Sequence, residues 1–149
     1  MSEPKRLERK ICNALKDWAD NRTHECLLIT GARGVGKTFT IEQFMEENFT
    51  SHITLDFESN PTLGDIFEDD SDVDRIFSRL TVEFPEFRPI SEDTILFFDE
   101  IQSCPSARRS LKQFAIDGRY RVISASSLIG PQYDNNVQNP VGYERTIER

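Results

Sequence analysis

Two short stretches carry residue types that could do chemistry together. The first is Gly31-Ala32-Arg33-Gly34-Val35-Gly36-Lys37-Thr38, which has the spacing of a phosphate-binding loop: Gly, four residues, then Gly-Lys-Ser/Thr. Gly31 and Gly36 let the backbone curl where a Cβ would clash. The amides from Gly34 to Thr38 can then converge on phosphate oxygens at a helix N-terminus, where the dipole also favours an anion. Lys37 would reach the β- and γ-phosphates, and the Thr38 hydroxyl would ligate Mg2+. The second stretch is Thr94-Ile95-Leu96-Phe97-Phe98-Asp99-Glu100. An uninterrupted apolar run suits a central parallel strand covered on both faces, and this one ends in two acids, a Walker B pattern. Asp99 would hold the Mg2+ shell, commonly through water, and Glu100 would orient and polarise an attacking water. An apolar run ending in Asp-Glu is weak evidence alone, because many strands end in acids. Together the two stretches are independent parts of one machine.

The elements around them are those that could bring them together. Cys26-Leu27-Leu28-Ile29-Thr30 is an apolar run of buried-strand length just before the glycines. Phe39, Ile41, Phe44 and Met45 recur at helical spacing after them, predicting a helix to about Asn48. Leu7, Ile11, Ala14, Leu15 and Trp18 predict a first helix over 4–19, with Pro4 in its first turn. A second strand is expected over 52–57, with Asp56 near its C-terminal end, the edge where ligands bind in open α/β sheets. Residues 63–67 could form a helical turn. The acidic run 68–72 lacks the glycine and distal glutamate of a calcium loop and is read as a solvated turn and helix start. Val73, Ile76, Phe77 and Leu80 mark an amphipathic helix, and the two prolines in 84–89 enforce extended backbone. A helix from about Ser106 buries Ala107, Leu111, Phe114 and Ala115, turns Arg108, Arg109 and Lys112 to solvent, and stops at Gly118. A fourth strand is expected over 120–124, then Ala125-Ser126-Ser127. Here Ser126 or Ser124 could sense the γ-phosphate, and strand alternation does not choose between them. Residues 128–140 read as a loop, and 141–147 as a fifth strand.

The totals bound the class. At 149 residues the chain is one domain's worth, and its formal charge of −8 argues against a broad nucleic-acid-binding surface. Cys12, Cys26 and Cys104 are far apart without paired ligand spacing, as expected of free thiols in a reducing cytosol. His24 has no companion ligand and reads as a surface residue. No apolar run is long enough to span a membrane, and the polar N-terminus does not resemble a signal peptide. A soluble cytoplasmic domain is the expectation.

These residues resemble the N-terminal ATPase module of the bacterial and archaeal AAA-type ATPases that usually carry a nuclease-like C-terminal domain. The resemblance rests on the glycine loop, on Leu96-Phe97-Phe98-Asp99-Glu100-Ile101-Gln102-Ser103-Cys104-Pro105, on Asp117-Gly118-Arg119-Tyr120, and on Asn139-Pro140-Val141-Gly142-Tyr143-Glu144. It implies an α/β fold, a three-layer P-loop NTPase sandwich with a parallel sheet of strand order 5-1-4-3-2. It also implies that residues 1–149 form the ATPase core without the helical lid and C-terminal domain. The implied activity is Mg2+-dependent binding and slow hydrolysis of ATP. Gly31, Ala32, Arg33, Gly34, Val35, Gly36, Lys37, Thr38, Phe39 and Ser126 would contact nucleotide, Thr38 and Asp99 the metal, and Glu100 and Lys37 would act in catalysis. A protein partner or a C-terminal effector domain would be served. The group often has Thr-Gly-Ser where this chain has Ser124-Ala125-Ser126, and no Arg or Lys lies between Ser126 and Pro140, where a ring-forming ATPase commonly places an arginine finger. A non-hydrolysing nucleotide-dependent switch, a small-molecule kinase and a truncated remnant are the alternative readings.

Overall fold

The computed structural model describes residues 3–20, 26–30, 37–68, 72–127 and 144–148, with backbone alone at 3–10, 37, 68 and 144–148. The elements run α1 (Glu3–Asp20), β1 (Cys26–Thr30), α2 (Lys37–Asn48), β2 (Ser51–Asp56), a 3-10 turn (Pro61–Gly64), α3 (Asp65–Glu68), α4 (Val73–Glu83), β3 (Thr94–Asp99), a second 3-10 turn (Ile101–Ser103), α5 (Pro105–Asp117), β4 (Arg121–Ser126) and β5 (Glu144–Glu148). The five strands form one sheet in the order β2-β3-β4-β1-β5, the expected 5-1-4-3-2 read from the other edge. Every pairing is parallel, so all C-terminal strand ends share one rim.

Strand alternation divides the core into two layers. In β3, Leu96 and Phe98 join one apolar cluster, with Cys26 and Leu28 of β1, Val122 of β4, Ile76 and Phe77 of α4, and Leu111 and Phe114 of α5. Ile95 and Phe97 join the other, with Leu27, Ile29, Ile123 and Ala125, against Ile11, Leu15 and Trp18 of α1 and Ile41, Phe44 and Met45 of α2. Because both faces are covered, β1 and β3 are buried at every position, which is why their sequences read as unbroken apolar runs. Phe98 sits among Phe57, Phe67 and Phe114 with ring centroids 5.6, 5.4 and 5.9 Å away, all edge-to-face. That cluster fixes the strand immediately before Asp99.

Polar contacts close the element ends. Helix α1 has no basic residue in its last turn. Arg121 supplies one from β4, donating to the carbonyls of Trp18 (2.8 Å) and Ala19 (3.5 Å) and lying 4.1 Å over the Trp18 ring. The Asp72 side chain caps α4 by accepting from the Asp74 amide, in keeping with a helix start in the acidic run. Gly118 ends α5 at φ 76°, in the left-handed region. Arg119 then bridges Asp117 (2.8 Å) and Asp74 (2.7 Å). Its hydrogen bond holds the Asp117 carboxyl below its ordinary value.

The structure corrects four local expectations. Strand β4 runs two residues further, so Ser126 belongs to the strand. Strand β2 starts one residue earlier, at Ser51. Arg108, expected in solvent, is 1% exposed, while Arg109 and Lys112 are exposed; five buried residues on α5 make its covered face wider than four apolar positions suggest. Phe39 is 66% exposed, whereas Ile41, Phe44 and Met45 are buried, because residues three and four positions on from it are the exposed Glu42 and Gln43, so it falls on the solvent face of α2. The expectations for His24, for the loop 128–140 and for a strand over 141–143 lie outside the described residues.

Two stability outcomes follow. Phe98→Ala should cost about 3–5 kcal/mol, since it empties an aromatic core site, read as a lower urea midpoint. Ser124 is fully enclosed and its hydroxyl has no hydrogen-bond partner. Ser124→Ala should therefore raise stability by about 1 kcal/mol, measured by the same unfolding curve.

Candidate functional site

The site lies on the rim where β1, β3 and β4 end. The glycine-rich residues 31–36 fall outside the described residues, but they connect the end of β1 to the start of α2, which begins at Lys37. Strand β4 stands between β1 and β3. Two strand spacings, about 10 Å, therefore separate the glycine loop's parent strand from the strand bearing the acids. The start of α2 bridges that gap. The Thr38 hydroxyl donates to Asp99 Oδ2 at 3.0 Å. Asp99 is the last residue of β3 and is 6% exposed. The expected metal pair is thus brought together. The Lys37 backbone begins the same helix, and its side chain is outside the described residues.

The pair suits magnesium. A hydroxyl and a carboxylate are hard oxygen donors, and Mg2+ binds through one or two protein oxygens with the rest from phosphate and water. Among the described residues no group of three or more His, Cys, Asp or Glu forms a cation cage.

Glu100 departs from the strand abruptly. Its backbone is left-handed, φ 53° and ψ 49°, a conformation costing a non-glycine residue roughly 1–2 kcal/mol. The reversal starts the 3-10 turn, where Ser103 N–H donates to Glu100 O (3.0 Å) and Cys104 N–H to Ile101 O (2.9 Å). Ile101 is fully buried and Cys104 is 6% exposed; Pro105 opens α5. The apolar anchors pin the turn and leave Glu100 half-buried at the rim. Its Oε1 accepts from Gln102 Nε2 (2.6 Å) and from Ser127 Oγ (2.9 Å).

Depth separates the two serine candidates. Ser126 is the last residue of β4 and pairs with Thr30, the last of β1. Ser124 pairs with Leu28 and Phe98, inside the sheet. Both are fully buried. Sequence reasoning misses Gln102 and Ser127, which reach Glu100. Gln102 is visible within Asp99-Glu100-Ile101-Gln102, but only a tight turn brings residue 102 back onto residue 100. Asp56, also at the rim opposite Asp99, accepts from the Glu58 and Ser59 amides (3.1 Å each) and the Ser59 hydroxyl (3.0 Å). Its carboxylate closes the turn that follows β2. Phe39, one residue after Thr38, presents its ring to solvent.

No described helix is long and apolar enough to cross a membrane. Among solved structures the chain is similar to Caenorhabditis elegans PCH-2, with a TM-score of 0.57, 15% identity, and coverage of 95% of this chain and 42% of that one. It is similar to a chain from Drosophila ORC bound to DNA, with a TM-score of 0.59, 11% identity, and coverage of 97% and 91%. It also resembles the Thermotoga maritima RuvB T158V variant, with a TM-score of 0.54, 17% identity, and coverage of 96% and 44%. The chain spans less than half of the PCH-2 and RuvB chains, and these likenesses speak to the fold. No curated protein is matched by sequence. The family model described as AAA domain matches residues 23–148, from before β1 to the end of β5, and on that match this chain belongs to the AAA domain family as an AAA-type P-loop ATPase module.

Proposed function

We propose that this module binds ATP with Mg2+ and hydrolyses it slowly. The observation that carries the reading is the Thr38–Asp99 hydrogen bond. It joins the end of the glycine-lined loop to the acid of the apolar strand at a single point on the rim. Lys37 grips the β- and γ-phosphates, and the loop amides cradle them. Thr38 and Asp99 would hold the Mg2+, whose charge would offset that of the phosphates. Glu100 accepts a proton from the attacking water and directs it at the γ-phosphorus. The position of Ser126 at the tip of β4, between the two parent strands, supports it over the deeper Ser124 as the γ-phosphate contact.

Hydrolysis of this kind is catalysed chiefly by position and charge. An arginine finger contributes on the order of 10³–10⁵ in turnover. With no Arg or Lys between Ser126 and Pro140, slow turnover is the expected state. The formal charge of −8 suits a protein effector better than a broad nucleic-acid contact.

Two variants test the assignment. Lys37→Ala should weaken Mg-ATP binding at least about tenfold, measured by titration calorimetry; unchanged affinity would refute the cradle. Glu100→Gln should retain ATP affinity and lose about 10²-fold or more in phosphate release, the range of a positioned general base. Normal turnover in that variant would refute Glu100 as the group that directs water, whereas ATP binding without turnover in the unaltered chain would leave the module a nucleotide-dependent switch.

A further inference from the structure

The Glu100 carboxylate is held by a closed ring of side chains. Gln102 Nε2 donates to Glu100 Oε1 (2.6 Å) and to Ser127 Oγ (3.2 Å), and Ser127 Oγ donates to the same Glu100 Oε1 (2.9 Å). The proton count closes. The amide supplies two hydrogens and the hydroxyl one, which accounts for all three bonds. The orientation of the amide is also fixed. Reversed, it would set its own oxygen against a carboxylate oxygen, two acceptors face to face. In the orientation it adopts, Gln102 Oε1 is enclosed and meets no donor, a cost that only the bonds made by the nitrogen offset.

The three residues come from two elements. Glu100 and Gln102 belong to the left-handed reversal after β3, and Ser127 follows the last residue of β4. Phe98 and Ser124 are paired across these strands, so the ring continues the β3–β4 pairing beyond the point where backbone hydrogen bonding stops. A glutamate side chain has three torsions and several rotamers open to it. Two donors converging on one oxygen select one.

We propose that Gln102 is a positioning residue for Glu100, fixing the carboxylate through this ring with Ser127 as its second support. The proposal rests on the reading of Glu100 as the group that directs water. A general base displaced by even about 1 Å can lose 10²-fold in rate, whereas phosphate binding at the Thr38–Asp99 end of the rim does not use the ring.

Steady-state ATP hydrolysis, Mg-ATP titration and thermal unfolding on the full chain test it together. Gln102→Met keeps the side chain's length and removes the donors. Its kcat should fall by about tenfold to a hundredfold, with KM and ATP affinity within about twofold and the unfolding midpoint little changed. Ser127→Ala should lower kcat by a smaller factor, and Ser127→Thr, which restores the hydroxyl, should recover it. In a Glu100→Gln background, Gln102→Met should cost nothing further, because its effect passes through the carboxylate. Unchanged kcat in Gln102→Met overturns the proposal. So does an equal loss in the Glu100→Gln background, or a parallel fall in ATP affinity and unfolding midpoint, which would mark a purely structural side chain. Absence of turnover in the unaltered chain overturns the underlying hydrolytic reading instead, and the proposal with it.

Discussion

One hydroxyl-to-carboxylate contact, Thr38 to Asp99, is the constraint around which the rim is arranged. Its partners are 61 residues apart in sequence. They meet because three parallel strands end at one rim and α2 begins there. The contact is too weak to impose that arrangement. A hydrogen bond to a charged group contributes about 1.5–3 kcal/mol, while the two apolar layers bury a large aromatic and aliphatic core. The fold brings the contact about, and the contact registers that the fold has put phosphate-binding and acidic segments on one edge.

The segment after β3 serves structure and chemistry through the same residues. Ile101 and Cys104 are buried, so the backbone must reverse at Glu100 to place them, and the strained left-handed conformation is the geometric result. Strain of this kind persists only where surroundings over-determine it. Here the surroundings are an aromatic cluster on one side, through Phe98, and a proline-initiated helix on the other. The acids at the rim are therefore set by rigid neighbours rather than by a flexible loop.

Much of this architecture is legible in the order of the amino acids. The runs Cys26 to Thr30 and Thr94 to Asp99 are apolar almost without interruption because both faces of the sheet are covered, and that makes them readable as central strands. The faces of α1, α4 and α5 follow from helical periodicity, and the strand order from resemblance to a family. Other features depend on information that a linear pattern does not hold. Phe39 is apolar like the buried residues of α2, but its phase along the helix sets it with the exposed Glu42 and Gln43, and apolar character alone misassigns it. The charge of Arg108 points it to solvent, whereas the covered face of α5 is wide enough to include it. Ser124-Ala125-Ser126 has no apolar signature to extend β4, yet parallel pairing with β1 carries the strand through Ser126. The link from Gln102 to Glu100 is set by a single left-handed residue, which no spacing rule anticipates at a glutamate.

The first helix has a bearing on where this unit can be cut. The family match begins at residue 23, yet α1 ends at Asp20 and contributes Ile11, Leu15 and Trp18 to one of the two apolar layers. A fragment excised at the match boundary would strip the cover from Leu27, Ile29 and Ile123 and leave the Arg121 guanidinium without its indole and carbonyls. The physical unit of folding thus extends upstream of the segment by which the family is recognised.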